Sequence, residues 1–318
     1  MGDIPSVEAG TLISYSDLRK STRIPLAEAA PLDKPLTVYV EPTNRCNLSC
    51  SFCPQSLADY KERAGYSEHM DIALYRKVIC EIRAMEIKSL KLYFFGEPLL
   101  HPQIGEILML GTAACDRVEL TTNGMPMTAK RAKEIVEAEV DYVRVSIYDE
   151  ILHPENVVRN VRTLWETRQA RGAQKPFIFV KVFDQAKADA IRPDYEGICD
   201  EIGPEALHSI GSDMIQIKRL TGPHIACPYP FYNLVVKSNG DVVPCCVAWE
   251  KSLVVGNAKE QTLAEIWKGE RLAEIHRLHL AGRGQELAAC ANCDTIFGCP
   301  DTIDSLTVEE YERRRASK

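Results

Sequence analysis

Short runs of β-branched, aliphatic and aromatic residues recur along the first two thirds of the chain, separated by stretches of helical period. The runs are LTVYVEP (36–42), SLKLYFF (89–95), RVELTTNG (117–124), YVRVSIYD (142–149), FIFVKVFD (177–184) and MIQIKRL (214–220). Between them apolar residues return at i, i+3, i+4 and i+7, as in DIALYRKVICEIRAMEI (71–87). Strands alternating with amphipathic helices predict a parallel sheet covered by helices on its outer side. Eight such units close a barrel, so six predict the α/β class and an open, partial (β/α)6 TIM-like barrel.

Beyond about residue 225 the pattern changes. Two strands, FYNLVVKS (231–238) and DVVPCC (241–246), meet at Asn239-Gly240, a strong hairpin signal. A helix, TLAEIWKGERLAEIHRLHL (262–280), and a cysteine-rich loop, CANCDTIFGC (290–299), follow. This region is too small and too thiol-rich to rest on apolar burial alone, which points to a metal centre as its staple. The predicted organisation is an N-terminal arm lying over the barrel (1–35), the barrel (36–222), a small cysteine-rich hairpin-plus-helix domain (223–302) and a C-terminal tail (303–318).

Composition narrows the function classes. A net charge of −7 removes the basic footprint of a nucleic-acid binder, and no apolar run approaches the ~20 residues of a membrane helix. The N-terminus MGDIPSVEAG lacks a secretory signal. With twelve cysteines this predicts a reducing, cytoplasmic setting in which thiols bind metal or do chemistry. A monomer is expected.

Cys46, Cys50 and Cys53 form C-x3-C-x2-C in the loop after the first predicted strand. In parallel β/α folds that is the mouth, where sites are built. Structural zinc takes four protein ligands. A cubane iron–sulfur cluster held by three thiolates keeps one iron open for a small molecule. Spacing alone leaves zinc with a remote fourth ligand as the alternative.

The motif resembles the signature of the radical S-adenosylmethionine (SAM) superfamily. Phe52, before the third cysteine, fits it, as does Gly96-Glu97-Pro98, which corresponds to the family's GGEP with Phe95 in place of the first glycine. TTNG (121–124) and Ser146 also fall at matching positions. The resemblance implies a [4Fe-4S] cluster on the three cysteines whose open iron chelates SAM, fed by a reductase/flavodoxin or ferredoxin and cleaving SAM to methionine and a 5′-deoxyadenosyl radical. It further implies that Gly96, Glu97 and Pro98 hold the SAM ammonium group, that Asn123 lines the SAM pocket and that Ser146 meets the ribose.

Downstream, Cys227, Gly240, Cys245, Cys290, Cys293 and Cys299 resemble the first part of the SPASM domain, but the position four beyond Cys299 is Ile303. The resemblance is therefore to the shortened twitch form, with one auxiliary [4Fe-4S] cluster on Cys227, Cys245, Cys290 and Cys293. A four-cysteine zinc ribbon is the alternative on spacing. Twitch proteins include dehydrogenases and epimerases of aminoglycoside and aminocyclitol (antibiotic) biosynthesis. The resemblance implies hydrogen abstraction from a carbinol carbon of a sugar, aminocyclitol or aminoglycoside, with oxidation through the auxiliary cluster, or epimerisation with a cysteine as hydrogen donor. SPASM-type peptide maturases are the further alternative. A barrel that begins by residue 36 leaves no module for a leader peptide and favours a small polar substrate.

Lys181 and Asp184 on the fifth strand, Lys218 and Arg219 on the sixth, Glu250, and the thiols of Cys246 and Cys299 are candidates for substrate and proton handling. His101 reads as structural, and Cys80, Cys115 and Cys199 as buried small hydrophobes.

Overall fold

Alternate residues of the barrel strands are aliphatic, and their neighbours are polar or aromatic; this division decides which side carries the helices. The structure, a computed structural model, describes residues 12–15, 17, 24–205, 224–291, 293–299 and 301–318. Strands β1 (Thr37–Val40), β2 (Ser89–Leu92), β3 (Arg117–Thr122), β4 (Tyr142–Ser146), β5 (Phe177–Val182) and β6 (Glu201–Pro204) lie parallel in chain order. Past β1 the same sheet continues through β7 (Asn233–Val236), parallel to β1, and antiparallel β8 (Asp241–Val243) and β9 (Gly256–Asn257). The nine strands run β6-β5-β4-β3-β2-β1-β7-β8-β9, an open parallel sheet with an antiparallel extension. The hairpin is thus part of the barrel's own sheet rather than a sheet apart.

Val38, Leu90, Val118, Val143 and Ile178 are fully buried on the outer side. The helices of this part are α1 (Leu26–Ala29), α2 (Tyr60–Ala64), α3 (Ile72–Ala84), α4 (Ile104–Thr112), α5 (Ala129–Glu137), α6 (Pro154–Ala170) and α7 (Gln185–Tyr195), of which α3 to α6 cover that side and contribute Tyr75, Val78, Ile107, Ile135 and Val161 to the same core. Each such side chain contributes about 1.5–3 kcal/mol. Asp71 starts α3 by accepting from Ala73 N (2.7 Å) and Leu74 N (3.3 Å). Cys80 on that helix is exposed, contrary to expectation, because it falls off the apolar stripe; Cys115 is buried and Cys199 half-buried.

Register sets the polar residues of the inner face in layers: Tyr39, Lys91, Glu119 and Tyr142, then Thr121, Arg144, Phe179 and Glu201, then Ser146, Lys181 and Gly203. Buried charges are tolerable only when paired. Accordingly Lys91 meets Glu119 (3.3 Å), Lys181 meets Glu205 (2.8 Å), and Arg144 meets the same Glu205 and the Tyr93 hydroxyl (3.0 Å). Tyr15 stacks on Phe179 (5.0 Å) and donates to Glu119 Oε2 (3.3 Å). This part of the arm enters the barrel interior instead of lying over it.

Three sequence expectations are corrected. The sixth strand is Glu201–Pro204, whereas 214–220, with Lys218 and Arg219, lies outside the described residues. A left-handed turn at Gly197 (φ 73°) follows α7 and opens that strand, whose Gly203 and Pro204 mask the usual strand signal. The helix expected over 262–280 is two, α8 (Leu263–Lys268) and α9 (Glu270–Leu280), broken at an extended Gly269. After α10 (Thr295–Gly298), the expected tail carries α11 (Val308–Ala316), docked through buried Tyr311. Arg314 there donates to the carbonyls of Ala27, Glu28 and Ala30 at α1.

The α9–α11 contact has a pH consequence. His276 is buried, stacked on Phe231 (4.1 Å), with Nδ1 2.7 Å from Tyr311 Oη and Nε2 2.8 Å from Pro230 O. Burial outweighs these contacts and lowers its pKa to about 3. The stability held by the neutral ring is complete above the unfolded value near 6.5 and is lost as pH falls toward 3. Denaturant titrations are expected to show about 3 kcal/mol lost from this group between pH 7 and 4, and His276→Gln is expected to flatten that slope.

Candidate functional site

Glu41 to Asp71 connects β1 to α3 and carries the three thiols. Cys53 N donates to Cys50 O (2.8 Å), folding the motif back on itself, and Gln55 Nε2 ties Asn44 O (2.7 Å) to Phe95 O (2.6 Å) after β2. Cys50 is buried, and Cys46 and Cys53 are half-buried. Burial raises the Cys50 and Cys53 thiols to about 12, with Glu150 and Cys46 adding to both and Cys53 adding to Cys50. The three thiols therefore face a shared space.

The post-β2 turn presses against this loop. Glu97 N donates to Arg45 O (2.9 Å), and a Cβ on Gly96 would lie 1.8 Å from Thr43 O. Only glycine permits that approach. Gly96→Ala is expected to shift the loop, destabilise the protein by about 3 kcal/mol and sharply reduce iron retention, read by thermal melts and iron assay.

Glu97 is 2% exposed; Oε1 accepts from Leu99 N (3.0 Å) and Thr122 Oγ1 (2.8 Å), and Oε2 from Asn123 N (2.7 Å). Burial lifts its pKa to about 7 while these donors pull it down. It fastens the ends of β2 and β3 to each other beside the thiol loop. Pro98 is buried at the head of the 3-10 turn that follows. Asn123 Nδ2 points to the thiol loop, 2.9 Å from Asn47 Oδ1 and 3.9 Å from Cys46 Sγ. Phe52 packs on Tyr148 (5.1 Å) and Phe183 (4.9 Å), a wall from the loops after β4 and β5. Ser146 Oγ, at the end of β4, is buried without a hydrogen-bond partner, with the Tyr148 phenol as its polar neighbour.

The second thiol group flanks β7 and β8. Burial first, then Cys293 and Cys290, raises the Cys227 thiol, and Cys245 feels Cys227 and Cys293 in turn. The structure thus brings together all four expected ligands, with Cys299 beside them at 3.5 Å from Tyr232 Oη. Cys246 hydrogen-bonds Cys245 but also reaches Tyr39 and the field of Lys91, so it looks into the barrel. Lys181 likewise faces the interior, paired with Glu205.

Glu250 does not join them. It pairs with Arg63 of α2 (2.7 Å), whose guanidinium covers Trp249 (4.8 Å). Its place is the seam between the thiol loop and the hairpin. Glu41 and Lys237 close the same seam, both fully buried: Glu41 Oε2 accepts from Tyr66 Oη (2.7 Å) and Ser238 N (3.2 Å), and Lys237 Nζ donates to Trp249 O (2.8 Å) and Glu250 O (3.2 Å). Burial lowers the Lys237 pKa to about 8. Glu250→Gln is expected to cost about 1 kcal/mol and to leave kcat/KM within about threefold, checked by melts and product assays.

Donor chemistry fits two iron–sulfur clusters. A structural zinc site is closed by four protein ligands, one more than the three-thiol loop supplies. All-thiolate sets are what iron–sulfur clusters take. Buried polar atoms without partners occur at both places: Thr121 Oγ1 and Ser146 Oγ at the mouth, Asn233 and Thr295 near the second group. Sequence reading missed Tyr39, Tyr93, Arg144 and Glu205 inside the barrel and Tyr148 and Phe183 at its rim. The alternation of YVRVSIYD and FIFVKVFD was the available signal for Arg144, Tyr148 and Phe183.

A partial barrel with three thiols at its mouth and four beside its β1 edge defines a radical SAM enzyme. Residues 40–169 match the family model of the radical SAM superfamily, and residues 227–294 match that of SPASM, an iron–sulfur cluster-binding domain. The chain thus carries a radical SAM domain and a SPASM domain, and its cofactors are SAM and two iron–sulfur clusters. It is 25% identical over 262 residues to the S-adenosyl-L-methionine-dependent 2-deoxy-scyllo-inosamine dehydrogenase of Niallia circulans, covering 81% of this chain and 92% of that one. It is 22% identical over 322 residues to the PqqA peptide cyclase of Streptomyces rochei, covering 81% of each. The solved structure of BtrN in complex with AdoMet and 2-DOIA superposes with a TM-score of 0.60 at 22% identity, over 81% of this chain and 92% of BtrN, which supports the same fold. No helix among the described residues is long and apolar enough to cross a membrane.

Proposed function

We propose that this enzyme oxidises a carbinol carbon of a small polar molecule, a sugar or aminocyclitol, to a ketone. The carrying observation is a polar, layered barrel interior that extends from the three-thiol mouth to the four-thiol group, with Cys246 looking into it. Similarity across 92% of a SAM-dependent dehydrogenase supports it.

In this reading Cys46, Cys50 and Cys53 hold one [4Fe-4S] cluster with an open iron for SAM, and Cys227, Cys245, Cys290 and Cys293 hold the other. The cofactors supply a 5′-deoxyadenosyl radical that takes the carbinol hydrogen and an acceptor for the remaining electron. The chain's own groups bind and orient. Lys181 and Arg144, both held by Glu205, donate to a substrate oxygen at the level of Ser146. Once the carbon bears an unpaired electron its hydroxyl is far more acidic than an alcohol, so the Glu205 carboxylate suffices as proton acceptor. Ser146 Oγ and Thr121 Oγ1 offer hydroxyls to SAM or substrate, and Phe52, Tyr148 and Phe183 keep water out.

Anaerobic protein with SAM, a reductant and a panel of sugars, aminocyclitols and peptides tests the reading. One 5′-deoxyadenosine per ketone from a polyol is expected; turnover confined to peptides, with a new cross-link, contradicts it. A second reading, epimerisation, draws on the interior-facing Cys246. It requires solvent deuterium in the product and its loss in Cys246→Ala.

A further inference from the structure

Asn233 sits on β7 in register with Thr37 of β1 and is 1% exposed. Neither its Oδ1 nor its Nδ2 has a hydrogen-bond partner. A buried amide left in this condition costs about 1–3 kcal/mol, whereas an aliphatic residue would suit the strand at no such cost. The side chain is therefore one whose partner belongs to the loaded enzyme.

Its position points to that partner. Val235, two residues on and on the same face of β7, pairs with Val243 at the end of β8, from which the chain runs through Pro244 directly into Cys245. The preceding residue, Tyr232, reaches Cys299 Sγ (3.5 Å), and the segment entering β7 contains Cys227 and Tyr229, whose phenol feels Cys245, Cys246 and Cys227. Thr295, two residues past Cys293, is 3% exposed and turns its hydroxyl to the Cys293 sulfur. Side-chain donors from two different elements thus stand at the four-thiol group, and that of Asn233 is without a partner.

We infer that the Asn233 carboxamide donates an N–H···S hydrogen bond to the auxiliary cluster or to its Cys245 thiolate, making Asn233 a positioning and tuning residue for that centre. The inference rests on the reading that Cys227, Cys245, Cys290 and Cys293 hold a cluster. Hydrogen bonds to cluster sulfurs favour the reduced, more negative state and so raise the reduction potential. The auxiliary centre is thereby a better acceptor for the substrate's electron.

The test uses full-length, anaerobically reconstituted protein carrying Asn233→Leu and, in case leucine disturbs folding, the smaller Asn233→Val. The auxiliary signal is followed by potentiometric electron paramagnetic resonance (EPR), with the SAM-responsive signal as internal reference. Expected is a lower auxiliary midpoint in the variants, an unmoved reference signal, and iron-free variant protein that melts above iron-free wild type because the unpaired amide is gone. An auxiliary midpoint equal to wild type in both variants overturns the inference. A wild-type protein with a single EPR-active centre, or with zinc on the four thiols, instead overturns the reading beneath it, so the two failures are distinguishable.

Discussion

Cys50→Ala protein, reconstituted anaerobically, is expected to hold about half the wild-type iron and to form no 5′-deoxyadenosine above background, a loss of about 10³-fold or more. Cys50 is the most deeply buried thiol of its group, and its carbonyl accepts from Cys53 N (2.8 Å), so it is both donor atom and pivot of the motif. Two remaining thiolates do not hold a cubane that must also keep a corner for SAM. The second thiol group is carried by other elements, around β7, β8 and α10, and is expected to load normally. Iron and sulfide assays with chromatographic detection of 5′-deoxyadenosine check both halves. Wild-type 5′-deoxyadenosine yield in this variant would remove the three-thiol site from the chemistry.

Cys245→Ala is expected to separate the two functions. The mouth is untouched, so SAM cleavage continues, but ketone formation falls by about 10²-fold or more because the electron left on the substrate has lost its acceptor. The ratio of 5′-deoxyadenosine to ketone rises accordingly. Some substrate is expected to return unchanged with solvent deuterium at the attacked carbon, seen by mass spectrometry in deuterated buffer. Cys245 also lies just past the end of β8, two strands from β1, so the variant's melting temperature must be recorded beside the assay. Equal coupling in variant and wild type would leave the auxiliary group a structural staple.

The first five strands and the hairpin were legible because their signals are local: aliphatic alternation before a turn, and Asn239-Gly240 between two apolar runs. The three-thiol and four-thiol groups were legible because ligand spacing is written in the chain itself. What escaped depends on partners distant in sequence. Glu205 joins Arg144 and Lys181 across three strands, and nothing near residue 205 announces it. Glu250 looked like a proton-handling group beside Cys246 until Arg63, on α2, appeared as its partner. That the Glu97 carboxylate also accepts from three donors of its own turn and β3 depends on how the two strand ends meet, which spacing does not record. The sixth strand was misplaced because Gly203 and Pro204 argue locally against the strand that pairing with β5 imposes.

The direct measurement is the EPR spectrum of the reduced wild-type protein, taken with and without SAM. Expected are two overlapping iron–sulfur signals, of which one changes its g-values when SAM is added and the other does not. Identical spectra in the two samples contradict an open iron at Cys46, Cys50 and Cys53.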